Sequence, residues 1–180
     1  MNNLSSGLQQ EATGIIEELG LLRTSQSYGR AEVVGSVALD LIVKLDIDIH
    51  LLVDDADLVG VVNRIYPELL EHGTVSEVRI SDYRLQGIKI GIDRVPAKSG
   101  IWSIDLWVTD QIEETAFSYV QEMHDSLNSF HREAILRLKH HYHDQGRLRD
   151  GMSYKIYQAV MKEGVKTVEE FEKKYAKSPQ

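Results

Sequence analysis

Leu45, Ile47, Ile49, Leu51 and Val53 alternate with Asp46, Asp48 and His50 through nine consecutive residues. A period of two puts the five apolar side chains on one face of an extended chain and the acids and imidazole on the other, which predicts a strand over 45–53. The same period returns in VSEVRIS (75–81), GIKIGID (87–93) and IWSIDLWVT (101–109). The intervening RVPAKSG (94–100) is expected to close a hairpin between the last two. AEVVGS (31–36) is a shorter, β-branched run whose Gly-Ser ending marks a sharp turn, with room for about two helical turns in 37–43.

Elsewhere the period is helical. Leu8, Ala12, Ile15, Ile16, Leu19 and Leu22 form one stripe of a helix expected to end near Thr24 and Ser25. Residues 54–73 open on acidic capping residues and continue through Leu58, Val61, Val62, Ile65 and Leu69 to Gly73, with Pro67 a candidate kink. After Asp110 helices are expected over 111–125, 127–145, 152–163 and 167–176, the second carrying the stripe Leu127, Phe130, Ala134, Leu138, Tyr142. The order predicts an α/β (α+β) core over residues 1–110, a mixed sheet flanked by helices, and a helical C-terminal lobe over 111–180.

Composition narrows the chemistry. The absence of cysteine removes disulfides and thiolate metal sites, so a metal must be held by oxygen or histidine. No apolar run reaches membrane-spanning length and no secretory signal opens the chain, so a cytoplasmic location is expected. A net charge of −8 disfavours general nucleic-acid binding, which depends on Lys and Arg replacing phosphate counterions. The charge is uneven: residues 1–128 hold 9 basic and 21 acidic side chains, residues 129–180 hold 11 and 7. Solvated helix faces explain this most simply; a basic lobe serving a polyphosphate is the functional alternative.

Asp46 and Asp48 are the informative pair, since carboxylates at i and i+2 of a strand point the same way, with Cα atoms roughly 6.8 Å apart. Mg²⁺ commonly takes one or two carboxylates and leaves its remaining positions to water and phosphate oxygens. Asp105 sits among apolar neighbours in IWSIDLWVT, where a metal would offset its desolvation. At Gly35-Ser36 glycine allows close approach of backbone to phosphate, and Ser36 is expected to cap the short helix that follows.

The stretch VVGSVALDLIVKLDIDIHLLV (33–53), with its Gly-Ser, nine-residue spacer and alternating acids, resembles the signature of the polymerase-β-like nucleotidyltransferase superfamily. The resemblance implies a nucleotidyltransferase-type mixed sheet with a third carboxylate on a later strand, for which Asp105 is the candidate. It implies that Asp46, Asp48 and Asp105 bind Mg²⁺ or Mn²⁺ and are catalytic, and that Gly35 and Ser36 contact the phosphates of a nucleoside triphosphate, ATP foremost. Many members carry Arg and Gly shortly after the serine; this chain has Val37-Ala38-Leu39-Asp40 instead, and Lys44 is the candidate to offset the charge of Asp40 and to bind the nucleotide's phosphates. Lys139 is expected either to meet departing pyrophosphate or to lie on a solvated helix face.

The reaction implied is transfer of a nucleoside monophosphate to a hydroxyl of a small molecule or protein. A nucleotide-binding module without turnover and a metal-dependent phosphohydrolase are the alternatives. His50 shares the acidic face and is read first as a hydrogen-bonded polar residue, with a supporting or substrate-contacting role as the alternative; Trp102 and Trp107 are read as structural, although Trp107 lies on the Asp105 face, where a base or acceptor ring could stack. Arg94 and Lys98 precede Asp105 in the expected loop. The run His140-His141-Tyr142-His143 points its imidazoles in different directions on a helix and is read as ordinary surface. A homodimer is expected if the first helix leaves its apolar stripe uncovered.

Overall fold

The structure, a computed structural model, describes residues 2–54, 57–149 and 151–175. It divides into two compact units, residues 1–121 and 122–180.

The first unit begins with helices α1 (Asn2–Glu18) and α2 (Leu21–Gln26), separated where Gly20 turns left-handed at φ 61°. One continuous helix was the sequence expectation; the αL glycine divides it, as glycine does at little steric cost. Strand β1 (Arg30–Val34) leads into the four-residue helix α3 (Gly35–Ala38), then into β2 (Asp46–Leu52). The expected two turns over 37–43 do not form: α3 stops at Ala38, and Asp40 takes φ 53°. Leu39, Leu41, Ile42 and Val43 instead run irregularly into the interior, where all four are buried.

Helix α4 (Leu58–Glu71) starts at Asp57, whose carboxylate accepts a hydrogen bond from the Gly60 amide at 2.9 Å, and holds Pro67 in its interior. Asp55, one of the expected capping acids, lies outside the described residues. Strands β3 (Glu77–Asp82), β4 (Ile88–Ala97) and β5 (Gly100–Thr109) follow. The expected loop 94–100 is mostly strand: β4 continues to Ala97, and the irregularity is a bulge between Ile92 and Val95 where Arg94 takes φ 62°. Bulges absorb an extra residue without ending the ladder, which an alternation count does not anticipate.

The sheet order is β1-β2-β5-β4-β3, antiparallel except for the central pair β2 and β5. A parallel pair needs a long crossover, and α4 with β3 and β4 supplies it. One face of the sheet carries Ile47, Ile49, Leu51, Ile90, Ile92, Trp102, Ile104, Leu106 and Val108, which join Ala12, Ile15, Ile16 and Leu19 of α1 and Val61, Val62, Ile65 and Leu69 of α4 in one core. Among the described residues the α1 stripe is therefore covered within the chain. The other face of β2 and β5 is polar, and there the candidate side chains stand.

The second unit contains the end of α5 (Phe117–Ser126), α6 (Ser129–Asp144), α7 (Met152–Glu163) and α8 (Val168–Tyr175). Residue 176, the expected end of the last helix, lies outside the described residues. Ala134, Leu138 and Tyr142 of the expected stripe are buried, with Ile156, Val160 and Phe171. Phe130 departs from it, at 80% exposure in the first turn of α6.

Candidate active site

Strand register orders the polar face into rows. Val34, Asp48, Asp105, Gly91 and Arg79 are successive backbone partners from β1 to β3. The next row, toward the C-terminal end of β5, is Glu32, His50, Trp107, Lys89 and Ser81. Asp46 pairs with Ser103 on the other side of the acidic row. The sequence-predicted acids Asp46, Asp48 and Asp105 thus come together on two adjacent strands, with Asp48 and Asp105 opposite one another at a strand spacing of about 4.8 Å.

Two lysines answer this charge. Lys44 Nζ lies 2.7 Å from Asp46 Oδ2, and Lys89 Nζ lies 3.1 Å from Asp105 Oδ2. Burial lowers the Lys44 pKa, but its hydrogen bond to Asp46 and the fields of Asp46, Asp48 and Asp105 raise it further, so the net shift is upward. All three carboxylates therefore lie near enough to act on one ammonium group. Lys44 was anticipated as a neighbour of phosphate; here it holds an acid of the site.

Gly35 and Ser36 stand where β1 ends against Asp48. Gly35 has φ 64°, and a Cβ built on it would overlap the Asp48 carboxylate. Both the left-handed backbone and the close approach favour glycine. Ser36 does not cap α3 as expected: Val34 holds the cap position and Ser36 is already helical. Its carbonyl accepts from the Leu41 amide at 2.9 Å, and its residue is 9% exposed. The cap expected at Ser36 lies two residues too late, because that expectation assumed a longer strand before the helix.

His50 lies on the same face with Nδ1 accepting from the Ala116 amide at 3.1 Å. That bond leaves the neutral ring its proton on Nε2. Burial holds the imidazole pKa down at about 4. Its ring is 6.4 Å from Trp107 and 6.4 Å from Phe117, and the Arg30 guanidinium lies 4.5 Å above the Phe117 ring.

Other candidates lie elsewhere. Lys139 belongs to the second unit, where it is 1% exposed and donates to Tyr157 Oη at 3.1 Å, so it is not on a solvated face. Its long stem lets a lysine occupy a helix core while its ammonium finds a phenol, which a hydrophobic stripe does not reveal. Arg94 lies on the bulge with Nε 3.4 Å from Glu77. His141 faces Glu172 at 4.0 Å, away from any gathering of histidines. Sequence reasoning missed Lys89 and Tyr83 at the site. Lys89 was legible as the polar alternate of GIKIGID, and only the strand pairing reveals its neighbour.

Among the described residues no three His, Asp or Glu side chains are disposed to hold an ion as they stand. The donor set nonetheless fits Mg²⁺ or Mn²⁺. It is all hard oxygen, it sits on a rigid sheet, and such ions need only one or two protein carboxylates when phosphate and water supply the rest. Asp46 and Asp48 with Asp105 opposite are the residues that would hold it. No helix among the described residues is long and apolar enough to cross a membrane.

No protein-family model and no curated protein sequence matches the chain. Solved structures do. A cytoplasmic RNA terminal U-transferase shares 16% identity at a TM-score of 0.62, covering 84% of this chain and 47% of that one. The non-canonical poly(A) polymerase complex GLD-2–GLD-3 gives 17% and 0.61, covering 86% and 52%. The Cid1 poly(U) polymerase with MgGTP bound gives 16% and 0.58, covering 76% and 43%. The chain spans about half the length of these structures. It shares the fold of these terminal-transferase and polymerase structures, and its five-stranded mixed sheet flanked by helices is the architecture the sequence resemblance implied.

Proposed function

We propose that this chain transfers a nucleoside monophosphate from a nucleoside triphosphate, ATP foremost, to a hydroxyl acceptor, using the face that carries Asp46, Asp48 and Asp105. The observation that carries the reading is the parallel register of Asp48 with Asp105, beside a Gly35-Ser36 turn so close that a side chain at position 35 would displace the Asp48 carboxylate.

Mg²⁺, or Mn²⁺, bound to these acids would neutralise triphosphate charge and lower the pKa of the attacking hydroxyl. The chain's residues do the rest. The Gly35-Ser36 turn presents backbone N–H groups and the Ser36 hydroxyl to the β- and γ-phosphates. Asp46 and Asp48, fixed on β2, orient the triphosphate so that the acceptor oxygen attacks the α-phosphorus in line. One P–O bond forms, the bond to the β-phosphate oxygen breaks, and pyrophosphate leaves. Asp105, on the strand farther from the phosphate turn, takes the hydroxyl proton. Lys44 and Lys89 hold the acids in place and limit their mutual repulsion. Lys139, buried against Tyr157, has no part in this reading.

The net charge of −8 favours a small-molecule or protein acceptor. An RNA 3′ end is the second reading, supported by the terminal U-transferase and poly(A) polymerase that share the fold. Calorimetric titration of non-hydrolysable analogues of the four nucleoside triphosphates, with and without Mg²⁺, tests the common part. Mg²⁺-dependent binding that disappears in Asp46→Asn/Asp48→Asn is expected. Binding without product in an acceptor screen would favour a regulatory module, and phosphate release without a modified acceptor would favour hydrolysis. No binding of any analogue rejects the proposal.

A further inference from the structure

Beside Asp105, on the side away from the phosphate turn, lies a cluster whose two aromatic rings the reading above does not use. Trp107 is two residues beyond Asp105 on the same face of β5, roughly 6.8 Å along the strand. It is only partly buried. Tyr83, at the end of β3, approaches it with ring centroids 4.8 Å apart and planes inclined at 48°, and is 42% exposed. Lys89, the backbone partner of Trp107, has Nζ 5.7 Å from the Trp107 ring centroid and 5.9 Å from that of Tyr83 while it bonds Asp105. The chain's other tryptophan, Trp102, is fully buried in the core.

These positions are asymmetric about the acids. Across the sheet the order is phosphate turn at the end of β1, Asp46 and Asp48 on β2, Asp105 on β5, then Lys89 on β4 and Tyr83 after β3. A donor triphosphate anchored at Gly35-Ser36 occupies the first part. The aromatic pair occupies the last, one strand row from the group that takes the acceptor's proton. Exposed rings beside a cation suit a planar, electron-rich ring that brings negative charge, as a nucleotide does.

Resting on the reading given above, we propose that Trp107 and Tyr83, with Lys89, form the acceptor platform, and that the acceptor hydroxyl belongs to a nucleoside stacked on it. The nucleoside is either a free nucleotide or the terminal residue of a short single strand. Trp107 and Tyr83 set acceptor specificity; Lys89 positions Asp105 and draws the acceptor phosphate. A sugar with no planar ring can offer this surface C–H contacts but no base to stack between the rings and the cation.

The test uses Trp107 emission in the full chain carrying Asp46→Asn/Asp48→Asn, without metal, so that it does not depend on triphosphate binding or turnover. The probes are adenosine 5′-monophosphate, hexa-adenylate and an aminoglycoside, which offers hydroxyls but no planar ring. Saturable quenching by the adenine probes and none by the aminoglycoside is expected. Tyr83→Ala, at an exposed position, should keep the signal but weaken binding about tenfold. Trp107→Leu should leave only the unresponsive emission of Trp102. Tighter binding of hexa-adenylate identifies a strand end as the source; equal affinity identifies a free nucleotide. The proposal is overturned if neither adenine probe quenches Trp107, or if Tyr83→Ala leaves affinity unchanged. It is equally overturned if a triphosphate analogue with Mg²⁺ quenches Trp107 in the wild type, because the platform then belongs to the donor. Loss of calorimetric triphosphate binding would count against the catalytic reading alone.

Discussion

Asp48 and Asp105 are direct backbone partners on parallel strands, with Asp46 two residues before Asp48 on the same face. Like charges facing each other across a strand pair are destabilising, and Lys44 and Lys89 offset them only in part. A divalent ion brought by a triphosphate should therefore raise the melting temperature of the wild type by several degrees. Asp48→Asn and Asp105→Asn should each abolish that rise in a thermal-shift measurement, and lower turnover by at least a thousandfold. Their unliganded melting temperatures should stay within about 4 °C of wild type, since neither residue belongs to the core. An undiminished ligand shift in both variants would remove these acids from the site.

Gly35→Ala separates stability from function. The new residue must adopt φ near 64°, which costs about 1 to 2 kcal/mol, and its Cβ must push the Asp48 carboxylate aside. Urea denaturation should register that modest loss. The affinity for metal-bound triphosphate should fall further than stability does, because the displaced group is an end of a side chain that can rotate away. Equal affinity in Gly35→Ala and wild type would show that the Asp48 position is not used.

The pH dependence of stability should carry the mark of His50. Its folded pKa of about 4 lies below the ordinary value of 6.5 because burial disfavours the charged ring. Below pH 6.5 the unfolded chain takes up a proton that the folded chain refuses, so stability from this group falls as pH drops toward 4 and is complete above 6.5. The loss amounts to about 3 kcal/mol. Denaturation of wild type and His50→Gln at pH 7 and pH 4.5 isolates it: the wild type should lose about 2 to 3 kcal/mol more over that interval. Parallel losses in the two chains would mean that His50 is solvated.

The strands bearing Asp46, Asp48 and Asp105 were readable because alternation is a local signal: each polar residue lies between two that the core demands. Pairing is not local, and the partnership of Lys89 with Asp105 depends on a hairpin register that passes through the bulge at Arg94. The early end of α3 escaped for a related reason. Leu41, Ile42 and Val43 are buried in irregular backbone, and a run of apolar residues does not say which backbone carries it. The Gly35-Ser36 turn was legible as composition, while the conformation that moves the cap from Ser36 to Val34 was not.

Lys139 gives the last expectation, and it concerns the second unit. A polar residue opposite an apolar stripe suggests a solvated face, yet Lys139 is buried and donates to the Tyr157 phenol, whose ring centroid is 5.4 Å from Nζ. Hydrogen bonds that involve a charged group contribute about 1.5 to 3 kcal/mol, and removal of the phenol oxygen forfeits that contribution. Tyr157→Phe keeps the ring and removes only the oxygen, so the core volume is almost unchanged. Its melting temperature should fall by several degrees, with Mg²⁺-dependent triphosphate affinity at the first unit's acids altered by less than twofold once the chain is folded. A melting temperature equal to wild type would show that the ammonium finds its stabilisation in other partners.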